Sequence, residues 1–234
     1  MGVRRTLRRW HVWLGWLVGV PMLFWTLSGV VMVLRPIEEV RGEGLLRDPP
    51  AIHLPTAAIP PNLEGLAIES LALAQRSEGP RWVITAADGT SRQADPATGG
   101  LVPVLGAANA VREVMSRYTG DAKVSGVSRI DPSRPPLELR RETSGWMVAM
   151  SDGTHFFVDS GSGAVVARRT LWWRFYDFMW GLHIMDLETR EDTHHPWIVV
   201  FGVLALLSTL MALVLLPMTG KRKRKASAEP VQQD

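Results

Sequence analysis

The sequence predicts an α+β membrane protein: two transmembrane helices flanking an extracytoplasmic domain of two helix-plus-antiparallel-sheet repeats. Three observations lead there. Two stretches without a charged residue, 12–34 and 197–218, lie near the two ends of the chain. Basic residues gather outside those stretches, while the segment between them is acidic. A pattern around Trp82 recurs around Trp146 at a constant offset of 64 residues.

Each apolar stretch exceeds the roughly 20 helical residues that a hydrocarbon core of about 30 Å requires. The first is too long for the core of a cleaved signal peptide, and no A-x-A site follows it, so an uncleaved anchor is expected. Residues 1–11 carry Arg4, Arg5, Arg8 and Arg9, and the tail 219–234 carries the run Lys221 to Lys225. The positive-inside rule therefore places both termini in the cytoplasm and the centre in a bacterial periplasm, around an inner-membrane anchor. Segment 35–196 has 17 basic against 21 acidic residues. The pI of 9.7 thus reports topology, and no nucleic-acid partner is implied. The tail's basic run suits contact with anionic lipid. Eight of the ten tryptophans lie in or beside the most apolar segments, as interfacial anchoring predicts. With no cysteine, a disulfide framework, a thiolate metal site and a cysteine nucleophile are all excluded.

Residues 35–62 include Pro36, Pro49, Pro50, Pro55, Pro60 and Pro61. That density forbids a continuous helix or a central strand and predicts an extended spacer. The two repeats follow, at 63–105 and 106–170. Trp82 to Thr90 aligns without a gap on Trp146 to Thr154, and the register holds through Asp95/Asp159 and Gly99/Gly163. Each copy reads as strand, Asp-Gly turn, strand, Asp-x-x-(Thr/Ser)-Gly turn, strand. A helix is expected before each hairpin, over 63–76 in the first copy and 107–118 in the second. Extra strands are expected in the second copy near 124–130 and 137–142.

The helix–strand–strand unit ending in Asp-x-x-Thr-Gly resembles the PepSY module. Arg9-Trp10-His11-Val12-Trp13-Leu14-Gly15 resembles the opening of PepSY-associated transmembrane proteins, and Leu27-Ser28-Gly29 resembles the Thr-Gly near the end of their first span. The chain departs from the larger members in having only two spans, and in Val12, where the family often has Arg. The resemblance implies PepSY-like repeats and an inhibitory or regulatory binding role toward another envelope protein or peptide. Through the family's larger, haem-containing members it also implies a redox part in ferric-siderophore reduction and iron uptake.

No nucleophile elbow, Walker loop, zincin helix or dinucleotide fingerprint is present, so no catalytic residue is named. Six histidines remain. His53 belongs to the linker and His155 to a strand, as solvated and packing residues. His11 sits at the cytoplasmic edge of the first span and reads either as an interfacial side chain or as a haem ligand. The second span has no histidine, so His11 could share an iron only with a second copy. Gly15-x-x-x-Gly19 offers the surface for such a homodimer. Segment 171–196 predicts an aromatic surface helix, with Arg174 and Asp177 paired one turn apart, and then a loop. His183 reads as a packing residue, or as a haem or metal ligand beside His194 or His195. Asp186, Glu188 and Asp192 are metal-ligand types in no defined metal motif.

Overall fold

The computed structural model describes residues 2–54 and 57–220. It is a mixed α+β chain of two compact units. One holds the described residues of 35–175, and the other joins residues 2–34 to 176–220.

In the first unit, β1 (Ile68–Arg76), β2 (Gly79–Ala86) and β3 (Ser91–Ala94) form one antiparallel sheet. β4 (Val124–Ile130), β5 (Gly145–Met150), β6 (His155–Asp159) and β7 (Val165–Arg169) form another, in sequential order. The Asp-Gly turns close both hairpins. Gly89 and Gly153 each have φ +81°, a conformation that only glycine adopts freely. Asp88 and Asp152 each accept the main-chain N–H two residues on, from Thr90 and Thr154, at 2.9 Å. In the second turns Gly99 and Gly163 also have positive φ, and each donates its N–H to the carbonyl of Asp95 or Asp159.

The correspondence extends beyond the turns. β1 and β4 each carry a register shift at the same rung, opposite Thr85–Ala86 and Ala149–Met150. The bridge Ala94–Leu101 in the first copy stands where Val158 pairs with Val165 in β6–β7. The first copy's last strand is thus reduced to a single rung.

The copies differ in their helix. α3 (Ala107–Met115) forms as expected, presenting Ala110 and Val114 to the sheet. The predicted helix over 63–76 does not form, and residues 68–76 are β1 instead. The chain runs nineteen residues from Leu105 to Val124 but only nine from Ile59 to Ile68. Pro60, Pro61 and Gly65 occupy that short connection, where Gly65 takes φ +76°. Leu71 and Leu73, read with helical spacing, also fit the period of two that β1 uses against β2. The strand expected near 137–142 is likewise a turn, built over Pro136.

The β4–β7 sheet is covered on both faces. Val148, Met150, Phe156 and Val158 pack under α3, joined by Leu46 from the amino-terminal side. Phe157 and Ala167 face the other way, with Ile130 and Leu139. Leu46 corrects the spacer reading. Residues 37–40 form the short helix α2, 43–45 form a 3-10 turn, and Leu46 bridges Tyr118 at the end of α3. Val40 and Leu46 are buried, so the front of the proline-rich segment belongs to the folded core rather than to a spacer.

In the second unit, α1 (Val3–Val33) packs along α5 (Pro196–Gly220). Both are long and apolar enough to cross a membrane. Most of their large apolar side chains are exposed, Trp16 at 76% and Leu206 at 60%. α4 (Leu171–His183) begins in the first unit and ends in the second. The basic run predicted in the tail lies outside the described residues.

Candidate functional site

Each sheet anchors a tryptophan at the same position. Trp82 Nε1 donates to the Ile59 carbonyl at 2.8 Å. Trp146 Nε1 donates to the Leu105 carbonyl, also at 2.8 Å. Both rings are half-buried, and neither belongs to the fully buried core. The sheets meet closely. A Cβ at Gly161 would lie 2.1 Å from the Ser91 carbonyl oxygen, so only glycine permits the approach. Arg76 Nε donates to the Ser162 carbonyl at 2.9 Å. Glu113 on α3 is 2% exposed; it accepts the Ser77 N–H at 2.7 Å and a bond from Arg117 at 3.2 Å.

Beside this junction opens a cleft of about 550 Å³, with walls from both repeats. The Asp88–Ser91 turn forms one side, and Arg129, Glu142–Ser144 and Asp159–Gly161 form the other. The Asp159 carboxylate is committed to the turn, taking bonds from Thr143 Oγ1 and from the N–H and hydroxyl of Ser162. Arg129 and Glu142 are exposed. The cleft therefore offers one guanidinium, the carboxylates of Glu142 and Asp88 and several hydroxyls, in the size range of ligand pockets.

Near the start of α4, Arg174 pairs with Glu138 rather than with Asp177. Arg174 Nε donates to Glu138 Oε1 at 2.6 Å and Nη2 to Oε2 at 3.3 Å, a two-toothed pairing. Arg174 Nη1 donates to the Gly153 carbonyl at 2.7 Å. His155 Nδ1 lies 3.0 Å from Glu138 Oε2 and 2.8 Å from Arg174 Nη2. His155, read as a packing residue, thus belongs to a charged cluster. Burial disfavours the Glu138 carboxylate, but bonds from Arg174 and His155 outweigh that and hold its carboxyl below the usual range. The Trp173 ring beside this cluster is stacked by Arg169, whose guanidinium carbon sits 4.2 Å from the ring centre.

In the second unit, Asp177 is 4% exposed and pairs with Arg190 at 2.7 Å. Trp180 Nε1 donates to the Arg190 carbonyl at 3.0 Å. A Cβ on Gly181 would fall 2.7 Å from Arg190 Cγ, so glycine lets the loop fold back onto α4. The loop is organised by Asp186. Its carboxylate accepts the main-chain N–H groups of Glu188, Thr189, Glu191 and Asp192 and the Thr189 hydroxyl. These bonds, the Thr189 hydroxyl foremost, push its carboxyl far below the usual range. Asp186 is thereby spent on the loop rather than left open as a ligand.

The histidines read as haem candidates have distinct surroundings. His11 is half-buried and shares a groove on α1 with Gly15 and Gly19, beside which a Cβ would meet nothing within 4 Å. His194 is exposed and His195 half-buried. His183 is held by α1: its ring stacks on Trp25 at 4.7 Å and lies against Gly29. Its Nδ1 is 3.1 Å from both the Trp25 carbonyl and the Ser28 hydroxyl, and Ser28 Oγ itself donates to that carbonyl at 2.8 Å. A carbonyl only accepts, so this network assigns the proton to Nδ1 and leaves the lone pair on Nε2. None of these bonds reaches His194 or His195. Among the described residues no three His, Asp or Glu side chains converge as a metal cluster would. No family model, no curated protein and no solved structure matches this chain.

Proposed function

We propose that the chain is a membrane-anchored binding module of PepSY type. α1 and α5 span a bacterial inner membrane with both termini cytoplasmic, and the two repeats stand in the periplasm. The observation that carries this reading is the cleft to which both repeats contribute, with Arg129 and Glu142 exposed on its wall. The exposed apolar flanks of α1 and α5 support the anchor, since such surface is not left in water. The partner is an envelope protein or peptide reached at the periplasmic face. The test places a photo-crosslinking residue at Ser144, in the cleft, or at Ser70, away from it. A partner captured at Ser144, not at Ser70, and lost on combining Arg129→Glu with Glu142→Arg supports the reading. A reporter fusion near Gly126 that is active only in the cytoplasm overturns the topology.

A second reading, a haem-linked redox component, is favoured by His183. Imidazoles that bind iron commonly donate their other N–H to a carbonyl, and His183 is arranged that way. His183 would be one ligand to the iron, with His194 or His195 the candidates for another; His11, near the other end of α1, could pair only with the His11 of a second copy. Haem would supply one-electron transfer, and this chain would supply the orientation of the ring. A Soret band in the detergent-purified protein, abolished in His183→Ala with the fold retained, would raise this reading above the first.

A further inference from the structure

We propose that Arg5, Arg9, Trp10 and Trp13 form a site for the phosphate headgroup of an anionic phospholipid. The proposal rests on the membrane-anchored reading above. These residues, with Thr6, line one groove on the amino-terminal turns of α1. Arg5, Arg9 and Trp13 make one ridge of the helix at four-residue spacing, and Thr6 and Trp10 make the next. Arg4 and Arg8 do not line the groove.

The chemistry of the groove is graded along the helix. Two exposed guanidiniums stand one turn apart, each able to give two parallel N–H bonds to a phosphate. Residues 1–37 contain no acidic residue, so no carboxylate within this segment competes for them. Toward the apolar body of α1, Trp10 and Trp13 are 64% and 69% exposed. Indoles with one apolar body and one N–H suit the ester level of a lipid. Arg9 and Trp13 are about 6 Å apart along the axis, close to the depth of one interfacial zone. A lipid phosphate at Arg5 and Arg9 would therefore lay its glycerol esters against the two rings. An acidic protein surface would satisfy the arginines but leave the rings in water.

The experiment reconstitutes the full chain in nanodiscs containing equal phosphatidylglycerol and phosphatidylcholine. Co-purifying lipid is then measured by native mass spectrometry. Arg5→Gln with Arg9→Gln is compared with the charge-matched pair Arg4→Gln with Arg8→Gln. Retained phosphatidylglycerol should fall about ten-fold in the first pair and less than about two-fold in the second. Inorganic phosphate at millimolar concentration should leave it in place. Equal loss in both pairs overturns the site in favour of diffuse attraction, and displacement by phosphate overturns the lipid as its ligand. A wild-type chain that never enters nanodiscs would instead overturn the anchored reading itself.

Discussion

The indole nitrogens of Trp82 and Trp146, 64 positions apart in sequence, each donate to a main-chain carbonyl on the segment that leads into their own repeat. The same bond is made twice, although the helix that follows the acceptor in the second repeat has no counterpart in the first. The tryptophan thus ties the entry of each repeat to its sheet independently of the helix.

Removing that bond alone should be measurable. Trp146→Phe keeps most of the ring but leaves the Leu105 carbonyl without its donor, and should lower stability by about 1 kcal/mol. Trp146→Ala also opens a cavity, for a loss of about 3–5 kcal/mol. Trp82→Phe should match Trp146→Phe. Denaturant unfolding of the detergent-purified chain checks this, and a Trp82→Phe variant as stable as wild type would speak against equivalent roles.

The Glu138 cluster should give the first unit an acid-sensitive component. A carboxyl whose folded pKa is depressed adds stability that is fully present above its unfolded value. That stability is lost as pH falls through the folded value. Glu138→Gln should lower stability near neutral pH and flatten its decline on acidification. Arg174→Ala should cost about 2 kcal/mol at neutral pH, because it removes a two-toothed partner. Thermal melts across pH 3 to 7 (roughly the range over which carboxylates titrate) would test both, and parallel curves for wild type and Glu138→Gln would refute the assignment.

Asp177 and Arg190 form a pair with little solvent around the carboxylate. Asp177→Ala removes the carboxylate that holds Arg190, whose side chain still reaches solvent, so it should cost about 1.5–3 kcal/mol. Limited proteolysis should then cut within 184–192 well before the rest of the chain. Arg190→Lys should lie between, since lysine keeps the charge but not the guanidinium geometry.

Gly161→Ala should disturb the contact between the sheets. The added carbon would meet a main-chain oxygen, which cannot swing aside as a side chain can. A loss of about 1–3 kcal/mol is expected. Alanine at Gly126, where a Cβ would meet nothing within 4 Å, should be close to neutral. Equal stability of the two variants would show that the sheets tolerate being moved apart.

Local signals were legible in the sequence. The Asp-Gly turns, α3, β4 and the two long apolar helices all depend on residues close together in the chain. The predicted helix over 63–76 failed because Leu66, Ile68, Leu71, Leu73 and Ala74 fit either period, and pairing with β2 decided the matter. The spacer failed because proline density says nothing about the burial of Val40 and Leu46, and Leu46 is covered by the chain around the end of α3. The Glu138–His155–Arg174 cluster left no trace because its members come from a loop, a strand and a helix with no shared spacing. Arg174 and Asp177 have the right spacing to pair, yet each found a better-placed partner elsewhere. The proton on His183 Nδ1 could be assigned only once Trp25 and Ser28 stood beside it.

The short run from Ile59 to Ile68 has a consequence for how the molecule holds itself together. A three-stranded sheet without its own helix is half of a folding unit, and it borrows order from its neighbour through Gly161, Arg76 and Glu113. Stability should therefore fall along a gradient within the 35–175 unit. Amide hydrogens in β5 and β6 should exchange only on global opening, while those in β2 and β3 exchange through a cheaper local one. Strain or partner binding at the shared cleft would then be felt first by the amino-terminal repeat, the half nearer to coming undone.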